Sequence, residues 1–199
     1  GSGNILEGAP VAIDAQMTVM GVSTTSPAIS EIEDDGYINR AIVSDAYQGI
    51  IAAKIAAREG FDHVHVIYLD NAYGVGLHDA FADAFSDEGG AITSSVYDPL
   101  EQSGDTYGPA VISEAQAASP DAIFLIGYID DGAAVVSAAY DANVDLPWIM
   151  PDGLRSSDLL EGLQDNTYLD GVFGTVPAAP SGPDYQTYRE AFQNTWDEA

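Results

Sequence analysis

The chain has 199 residues and no cysteine, which excludes disulfides, catalysis by a thiolate and zinc sites built from cysteine. Aspartate and glutamate number 32 against five lysines and arginines, and the formal net charge of −27 disfavours binding to nucleic acid or anionic membranes. A hydrophobic content of 46% is enough for a buried core, and no run of about 18 apolar residues predicts a transmembrane helix.

The first 43 residues predict too few elements for a domain of their own. A helical pattern covers residues 4–16 and a strand pattern covers 18–22, and about two strands in all precede Ser44. We therefore expect residues 1–43 to be one piece of a first lobe, contributing the rim of a ligand-binding cleft.

Residues 44–176 predict alternating helices and strands, beginning with Ser44 as the N-cap of a long helix that ends at Gly60. Strands that alternate with helices of about 10–15 residues imply βαβ crossovers, and near-continuous apolar strands imply a sheet covered on both faces. We predict an α/β fold, a doubly wound parallel sheet in three α/β/α layers. The predicted strands are 63–69, 91–97, 121–126, 147–150 and 171–176, and the later helices are 74–88, 106–118, 130–142 and 155–163.

The C-terminal residues 177–199 have a different character. Residues 177–183 form a linker rich in proline, alanine, glycine and serine, and 184–198 predict a last amphipathic helix. This helix has no evident partner among the preceding elements. We expect it to return to the first lobe, so that 44–176 form the second lobe.

The acidic residues are spread along the chain, and their longest run is Glu33-Asp34-Asp35. Dispersed carboxylates suit a halophilic protein, because molar salt screens their mutual repulsion. An acidic face that binds a partner would concentrate the charge in blocks. We therefore expect a halophilic source. The sequence shows no signal peptide.

Two side chains that suit a small-molecule site follow neighbouring strands. Tyr128 comes just after the apolar run 122–126, and Asp152 comes just after 147–150. In open α/β sheets ligands bind at the carboxyl edge of the strands, where both residues are expected to lie. We predict Tyr128 as a wall of the site and Asp152 as its charged anchor. The alternative for Asp152 is an N-cap or a surface charge.

A turn with two glycines, Tyr73-Gly74-Val75-Gly76, follows the strand at 63–69. A dinucleotide fingerprint would need a third glycine where Asp79 stands. We interpret the glycines as a tight turn from strand to helix and not as a phosphate cradle. This turn is expected to aim Tyr73 at the same edge of the sheet.

Hydroxyl side chains cluster after the first strand, in Ser23-Thr24-Thr25-Ser26-Pro27. Hydroxyls and free backbone N–H groups at a strand end and a helix start suit a carboxylate ligand. A plain N-cap and turn is the other interpretation, and the two do not exclude each other.

The histidines and Ser2 give weaker signals. His63 and His65 share one face of a strand, but a metal site needs a third ligand, so partly buried histidines are the simpler interpretation. His78 is expected to be solvated. Ser2, Asp152 and a histidine could be drawn as a hydrolase triad, but no Gly-x-Ser-x-Gly elbow surrounds a serine. We expect no metal, no cofactor and no catalytic residue.

Several motifs carry a family resemblance over nearly the whole chain. They are Gly1-Ser2-Gly3 with Ala9-Pro10-Val11-Ala12, Val22-Ser23-Thr24-Thr25-Ser26-Pro27-Ala28, Ser44-Asp45-Ala46-Tyr47-Gln48-Gly49, Tyr73-Gly74-Val75-Gly76 and Gly171-Val172-Phe173-Gly174-Thr175. In order and spacing they resemble type I periplasmic binding proteins of ABC importers, in the branched-chain amino acid receptor group. The resemblance implies that the first three residues are native.

The resemblance implies one set of residues for each end of an amino acid. Ser2 and Thr25 would bind the ligand carboxylate, with the backbone around Ser23 and Thr24 assisting. Charge-assisted hydrogen bonds of this kind are stronger than neutral ones.

At the other end, the resemblance places Asp152 where the family often has glutamate, so that Asp152 would pair with the ligand ammonium. Tyr128 would contact the backbone of the amino acid, and Tyr73 would close over the ligand. Aspartate is one methylene shorter than glutamate, so the ligand would sit deeper or differ from the family's usual ligands.

The resemblance also implies hinge closure of two lobes around an amino acid, branched-chain or similar, and docking of the closed form on a membrane permease. It implies an extracytoplasmic protein with a lipid anchor. One alternative is an effector-sensing regulatory domain of the same two-lobe fold. A less favoured one is a nucleotide-binding enzyme with affinity at the turn of Gly74 and Gly76.

Overall fold

The computed structural model describes residues 1–178 and 181–196, and its paired strands are all parallel. In chain order the elements are α1 (Ser2–Asp14), β1 (Val19–Gly21), β2 (Ile38–Arg40), α2 (Asp45–Glu59), β3 (His63–Leu69), α3 (Ala72–Asp87), β4 (Ala91–Tyr97), α4 (Gly104–Ala118), β5 (Ala122–Ile126), α5 (Ile129–Asp141), β6 (Trp148–Pro151), α6 (Ser157–Glu161), β7 (Phe173–Thr175) and α7 (Pro183–Trp196). Two 3-10 turns, Pro27–Glu31 and Asp152–Leu154, follow β1 and β6.

A five-stranded sheet in the order β4-β3-β5-β6-β7 forms the larger part of the molecule. Helices α2 and α3 pack together on one face of this sheet, and α4 and α5 pack together on the other. The predicted doubly wound, three-layer α/β/α arrangement is confirmed.

The central strand β5 shows why both faces of the sheet are covered. Ile123 and Leu125 pack into the core beneath α4 and α5, whereas Phe124 packs into the core beneath α2 and α3. All five residues of β5 are 0% exposed. Because successive side chains of a strand point to opposite faces, a strand covered on both sides requires an unbroken apolar run.

Several element boundaries agree with the sequence. Strands β3 and β4 have the predicted ends, Ser44 caps α2 by accepting a hydrogen bond from the Ala46 N–H (3.3 Å), and Gly60 ends it in the left-handed conformation (φ 86°). The helix predicted over 155–163 is present but shorter. It is the five-residue α6, Ser157–Glu161, with its own N-cap at Ser156, and the 3-10 turn Asp152–Leu154 precedes it.

The residues before α2 form a small unit with its own core. Strands β1 and β2 make a two-stranded sheet, and Ala9, Ala12, Ile29 and Ile38 form an apolar cluster around it. Contacts of α1 and the first 3-10 turn with α3 hold this unit against the larger sheet. We call residues 1–43 the rim; its assignment to a first lobe stays a prediction.

Helix α7 buries none of its described residues. Its aromatic side chains Tyr188, Phe192 and Trp196 are 63%, 47% and 66% exposed. Residues 179–180 of the predicted linker and 197–199 at the end of the chain lie outside the described residues. The return of this helix to a first lobe stays a prediction. Within the described part of the chain, no helix combines the length and apolar character that crossing a bilayer requires.

Candidate ligand-binding site

The carboxyl edge of the large sheet brings together Tyr73, Tyr128 and Asp152. They follow β3, β5 and β6, and the rings of Tyr73 and Tyr128 stack with centroids 5.3 Å apart. Gly153 allows the loop that carries Asp152 to pack closely on Tyr73 and the end of β5, because a Cβ there would lie 2.6 Å from the Gly127 carbonyl oxygen and 2.9 Å from the Tyr73 hydroxyl. Tyr73 is buried at 5% exposure, whereas Tyr128 keeps 42% of its surface exposed.

A buried hydrogen-bond chain positions Tyr128, which is the N-cap of α5. The Asp131 carboxylate accepts from the Tyr128 N–H at 3.0 Å and from the Tyr97 hydroxyl at 2.6 Å. Burial raises the pKa of the Asp131 carboxyl, while the hydrogen bonds from Tyr97 and Tyr128 lower it. The tyrosine wall therefore has a polar support beneath it.

Asp152 is tied to α2 by Gln48, a residue that the sequence did not single out for the site. The Gln48 side-chain N–H donates to Asp152 Oδ1 at 2.7 Å and to the Thr175 carbonyl oxygen at 3.0 Å. One amide thus links α2 to β7 and to the loop after β6, and it orients the Asp152 carboxylate.

Asp45, in the first turn of α2, is the other residue that sequence reasoning missed. It is 0% exposed, and neither carboxylate oxygen has a hydrogen-bond partner in the structure. Burial raises the pKa of its carboxyl to about 7; the Thr25 side chain and Arg40 lower this pKa, and the Asp152 charge raises it. Its place in the Ser44–Gly49 motif, next to an N-cap, was the only signal.

The hydroxyl residues of the rim lie beside Asp45. Ser2, Thr24 and Thr25 are buried, whereas the side chain of Ser23 is exposed. The Asp45 N–H donates to the Thr25 carbonyl oxygen at 2.8 Å, so the hydroxyl loop is joined to the first turn of α2. Ser2 accepts a hydrogen bond from the backbone of this loop, at Ser26 N (3.1 Å).

The rim also reaches the tyrosine wall. A Cβ added at Gly1 would lie 3.4 Å from the Tyr128 hydroxyl, and one added at Gly76 of α3 would lie 2.7 Å from Pro27 Cδ. Arg40 secures the loop by donating to the carbonyl oxygens of Thr25 at 3.0 Å and Ser26 at 2.8 Å. The structure therefore brings the predicted rim residues to the predicted edge of the sheet.

Buried polar atoms without a partner concentrate around this edge. Native structures leave few such atoms, so a group of them at one edge marks a candidate ligand-binding site. Hydroxyls can donate to a carboxylate, and carboxylates accept from an ammonium, so the set suits a zwitterion. Among the described residues these atoms are Thr24 Oγ1, both Asp45 carboxylate oxygens, Tyr73 Oη and Thr175 Oγ1.

The glycine turn at the start of α3 is shaped by packing. A Cβ at Gly74 would collide with the Leu69 carbonyl oxygen. Asn71 caps the helix, because its side-chain oxygen accepts from the N–H groups of Tyr73 at 3.0 Å and Gly74 at 2.9 Å. These N–H groups are the ones a phosphate would require, so the geometry favours the tight-turn interpretation.

The histidines make hydrogen bonds to their neighbours. His65 is buried between the hydroxyls of Thr93 (2.8 Å) and Ser95 (2.9 Å), and burial lowers its pKa to about 4. In the described residues no group of three potential ligands could hold a metal. The expectation of a solvated His78 is wrong, since its ring stacks on Tyr68 and contacts Asp79 and Ser94. Its burial comes from β3 and β4, beyond its own helix.

An open groove of about 780 Å³ lies elsewhere, between the end of β6, α6 and β7. Its walls are mainly apolar and include Leu154, Leu159, Leu169 and Phe173. It contains neither of the buried carboxyl groups described above. The polar cluster at the sheet edge is therefore the better candidate for a ligand site.

Comparison with known proteins gives a family match. Residues 9–199 match the family model described as the receptor family ligand binding region. The chain is 34% identical over 131 residues to the chemotactic signal transduction system substrate-binding protein BasB of Halobacterium salinarum. That alignment covers 63% of this chain and 30% of BasB.

A second relative is the leucine-, isoleucine-, valine-, threonine-, and alanine-binding protein of Pseudomonas aeruginosa, 28% identical over 159 residues, covering 78% of this chain and 41% of that protein. Among solved structures, the leucine binding protein LivK of Thermotoga maritima superposes with a TM-score of 0.77 at 24% identity, covering 97% of this chain and 54% of LivK. The chain thus spans between 30% and 54% of the length of these three proteins.

Proposed function

The chain belongs to the receptor ligand-binding family of type I periplasmic binding proteins, and on this basis we propose that it is part of an extracytoplasmic solute-binding receptor of an ABC importer. The ligand is an amino acid, branched-chain or similar, held between two lobes. In this proposal residues 1–43 are the rim of the first lobe, 44–176 are the second lobe, and 177–199 return to the first. The role is binding and not catalysis.

The observation that carries the proposal is the pairing of hydroxyl donors with carboxylates at one edge of the sheet. Asp45 contributes a fully buried carboxyl without a hydrogen-bond partner, and Asp152 lies close enough to raise the pKa of that carboxyl. Carboxyl groups buried in this way are uncommon unless a cation or a hydrogen-bond donor accompanies them. An ammonium group would supply both.

In the proposed complex, Asp152 pairs with the ligand ammonium, in an orientation set by Gln48. Tyr128 contacts the backbone of the amino acid, and Tyr73 closes over it, which their ring stacking supports. Both phenols stay protonated, since burial raises the pKa of each above its usual value near 10.

The ligand carboxylate would meet the rim. Ser2 and Thr25 donate their hydroxyls, and the backbone near Ser23 and Thr24 adds N–H groups. Burial of Ser2, Thr24 and Thr25 supports this assignment, because a hydroxyl removed from water needs a partner. Ser23 is exposed, so its share would come from the backbone alone.

Ligand entry requires the rim and the second lobe to separate, and we propose a hinge at residues 41–44, between β2 and α2. The closed form then docks on the membrane permease. The receptor acts outside the cytoplasm, with a lipid anchor in the full-length protein. The dispersed acidic surface and the relative from Halobacterium salinarum support a halophilic source.

Chemotaxis is a second candidate, since one relative is a substrate-binding protein of a chemotactic signal transduction system. The same ligand site would then report to a membrane signal transducer. Deleting the gene discriminates the two: loss of amino acid uptake favours the importer, and loss of attraction to the amino acid with uptake intact favours chemotaxis.

The proposal is tested by thermal unfolding in molar salt with a panel of amino acids. A ligand at about a hundred times its dissociation constant stabilises the folded state by about 2.7 kcal/mol, a measurable rise in Tm. We expect a rise with branched-chain or similar amino acids and none with nucleotides. The full-length protein is measured in parallel, and no rise with any amino acid in either protein would refute the proposal.

A further inference from the structure

We propose that Asp45 loses a proton when the amino acid binds, so that ligand affinity is coupled to pH. This inference rests on the proposed function, because it concerns the same site. In this role Asp45 releases its proton to solvent when the ligand's ammonium binds beside it. The relatives described above do not assign that role to Asp45.

The geometry around Asp45 supports a protonated carboxyl in the empty site. The side chain is 0% exposed, and neither oxygen accepts a hydrogen bond within the described structure. An ionised carboxylate in this position would be removed from bulk solvent without an ion-pair partner, with the Thr25 side chain as the one donor that favours it, whereas a neutral acid is far less costly to bury. Burial accordingly raises the pKa of Asp45 to about 7.

The charged and titratable groups that face Asp45 come from four other parts of the fold. Arg40 of β2 favours ionisation, and the Asp152 carboxylate after β6 opposes it. Tyr73 of α3 and Tyr128 at the start of α5 feel the Asp45 charge, but burial raises the pKa of both phenols, so neither can release the proton. Burial thus brings the pKa of Asp45 to about 7, close to neutral pH.

Arg40 does not neutralise Asp45 by direct pairing. Its guanidinium donates to the carbonyl oxygens of Thr25 and Ser26 and to the Ser30 hydroxyl. Within the described residues the one ion pair closer than 4.0 Å is that of His78 with Asp79. Neither Asp45 nor Asp152 has an ion-pair partner within the described residues, and the ligand ammonium would be the first cation to pair with them.

The proton balance follows from these charges. Asp45 is neutral before the ligand binds; an ammonium beside it favours ionisation of Asp45, and its proton passes to the buffer. Ligand affinity therefore rises with pH up to about pH 7 and is constant above it. Below that value each unit of pH weakens binding by about tenfold, provided that one proton is exchanged.

Isothermal titration calorimetry with L-leucine tests the inference on the full chain in molar salt. At pH 6 the binding heat in phosphate and in imidazole buffer should differ by the buffers' ionisation heats for about one proton, and at pH 8.5 the binding heats in Tris and in borate buffer should show no proton release. Affinity should fall about fiftyfold between pH 7 and pH 5, because half of the Asp45 carboxyls are already protonated at pH 7.

Two variants separate Asp45 from other carboxyl groups. Asp45→Asn should abolish the buffer-dependent heat at pH 6, and Asp83→Asn, an exposed substitution on α3, should leave that heat unchanged. If Asp45→Asn does not fold, carboxyl 13C chemical shifts of the unsubstituted ligand-free chain report whether a buried aspartate titrates near pH 7.

The outcomes are distinct. Leucine binding with a heat independent of buffer at pH 6 overturns the proton exchange and leaves the receptor function intact. A buffer-dependent heat that persists in Asp45→Asn overturns the assignment to this residue. Absence of leucine binding at pH 8.5 in both the chain and the full-length protein overturns the inference, while the amino acid panel decides the receptor function separately.

Discussion

The five-stranded sheet and the rim hold their shapes by different means. The sheet has two large apolar cores, one on each face, in which Phe81, Phe124 and Leu125 are 0% exposed. The rim has one small apolar cluster and depends on polar ties such as Arg40 to the Thr25 and Ser26 carbonyls. The sheet is therefore the rigid region that positions the aromatic and acidic groups. The rim is the more weakly packed region, and it can move to admit a ligand.

The largest expected effect tests the core of the five-stranded sheet. Phe124→Ala should lower the free energy of unfolding of the whole chain by about 4 kcal/mol, because it opens a cavity in a close-packed core. Ile29→Ala, in the cluster of the rim, should cost about 2 kcal/mol and loosen residues 1–43 first. Urea unfolding followed by hydrogen exchange measures both. Equal costs in one cooperative transition would show that the two regions are a single unit.

The next effect concerns the ligand. Asp152→Ala should weaken amino acid binding by roughly a hundredfold, since a charge-assisted hydrogen bond is worth about 2–3 kcal/mol. Calorimetry measures the affinity, with Asp158→Ala, an exposed substitution in α6, as the matched control. Unchanged affinity in Asp152→Ala would remove this residue from the proposed site.

A smaller effect tests the polar ties of the rim. Arg40→Ala should lower the free energy of unfolding by about 2 kcal/mol, because two carbonyl oxygens lose a charged donor. Amide protection should fall in residues 23–26 and stay unchanged in β3 and β5. Arg58→Ala, on the exposed last turn of α2, is the control for loss of a positive charge. Uniform loss of protection would contradict the idea of a separate rim.

The smallest effect tests the support beneath Tyr128. Tyr97→Phe removes the 2.6 Å hydrogen bond to Asp131 and should cost about 1 kcal/mol of stability and a few-fold in ligand affinity. Tyr107→Phe should change both quantities less, because the Tyr107 hydroxyl makes only a long bond of 3.4 Å to the Asp131 carbonyl oxygen. Denaturant unfolding and calorimetry measure them, and the reverse ranking would contradict the support.

Sequence reasoning was most reliable where local patterns and burial agree. The apolar run of β3, the hydroxyl N-cap Ser44 and the terminating Gly60 are confirmed because each depends on its immediate neighbours. The resemblance to type I periplasmic binding proteins is confirmed by the family match. The roles of Tyr73 and Asp152 stay predictions, although the structure places both at the expected edge.

Local patterns failed where distant residues decide the environment. Gln48 meets Asp152 across 104 positions of the chain, and no local pattern of α2 reveals that bond. His78 was expected in water, yet Tyr68 and Ser94 cover it from neighbouring strands. The helix predicted over 155–163 begins two residues later than predicted for a local reason, since the Ser156 side chain caps it by accepting from the Asp158 N–H.

The sequence by itself determined the fold class, the order of the strands and helices from Ser44 onward, and the acidic surface. Periodicity, caps and charge are properties of short segments or of composition. Only the tertiary structure decided that Asp45 is buried without a partner beside Asp152, because burial and electrostatic environment depend on which segments meet. The chemistry of this edge belongs to no single segment, since α2, the rim and three strand ends assemble it together.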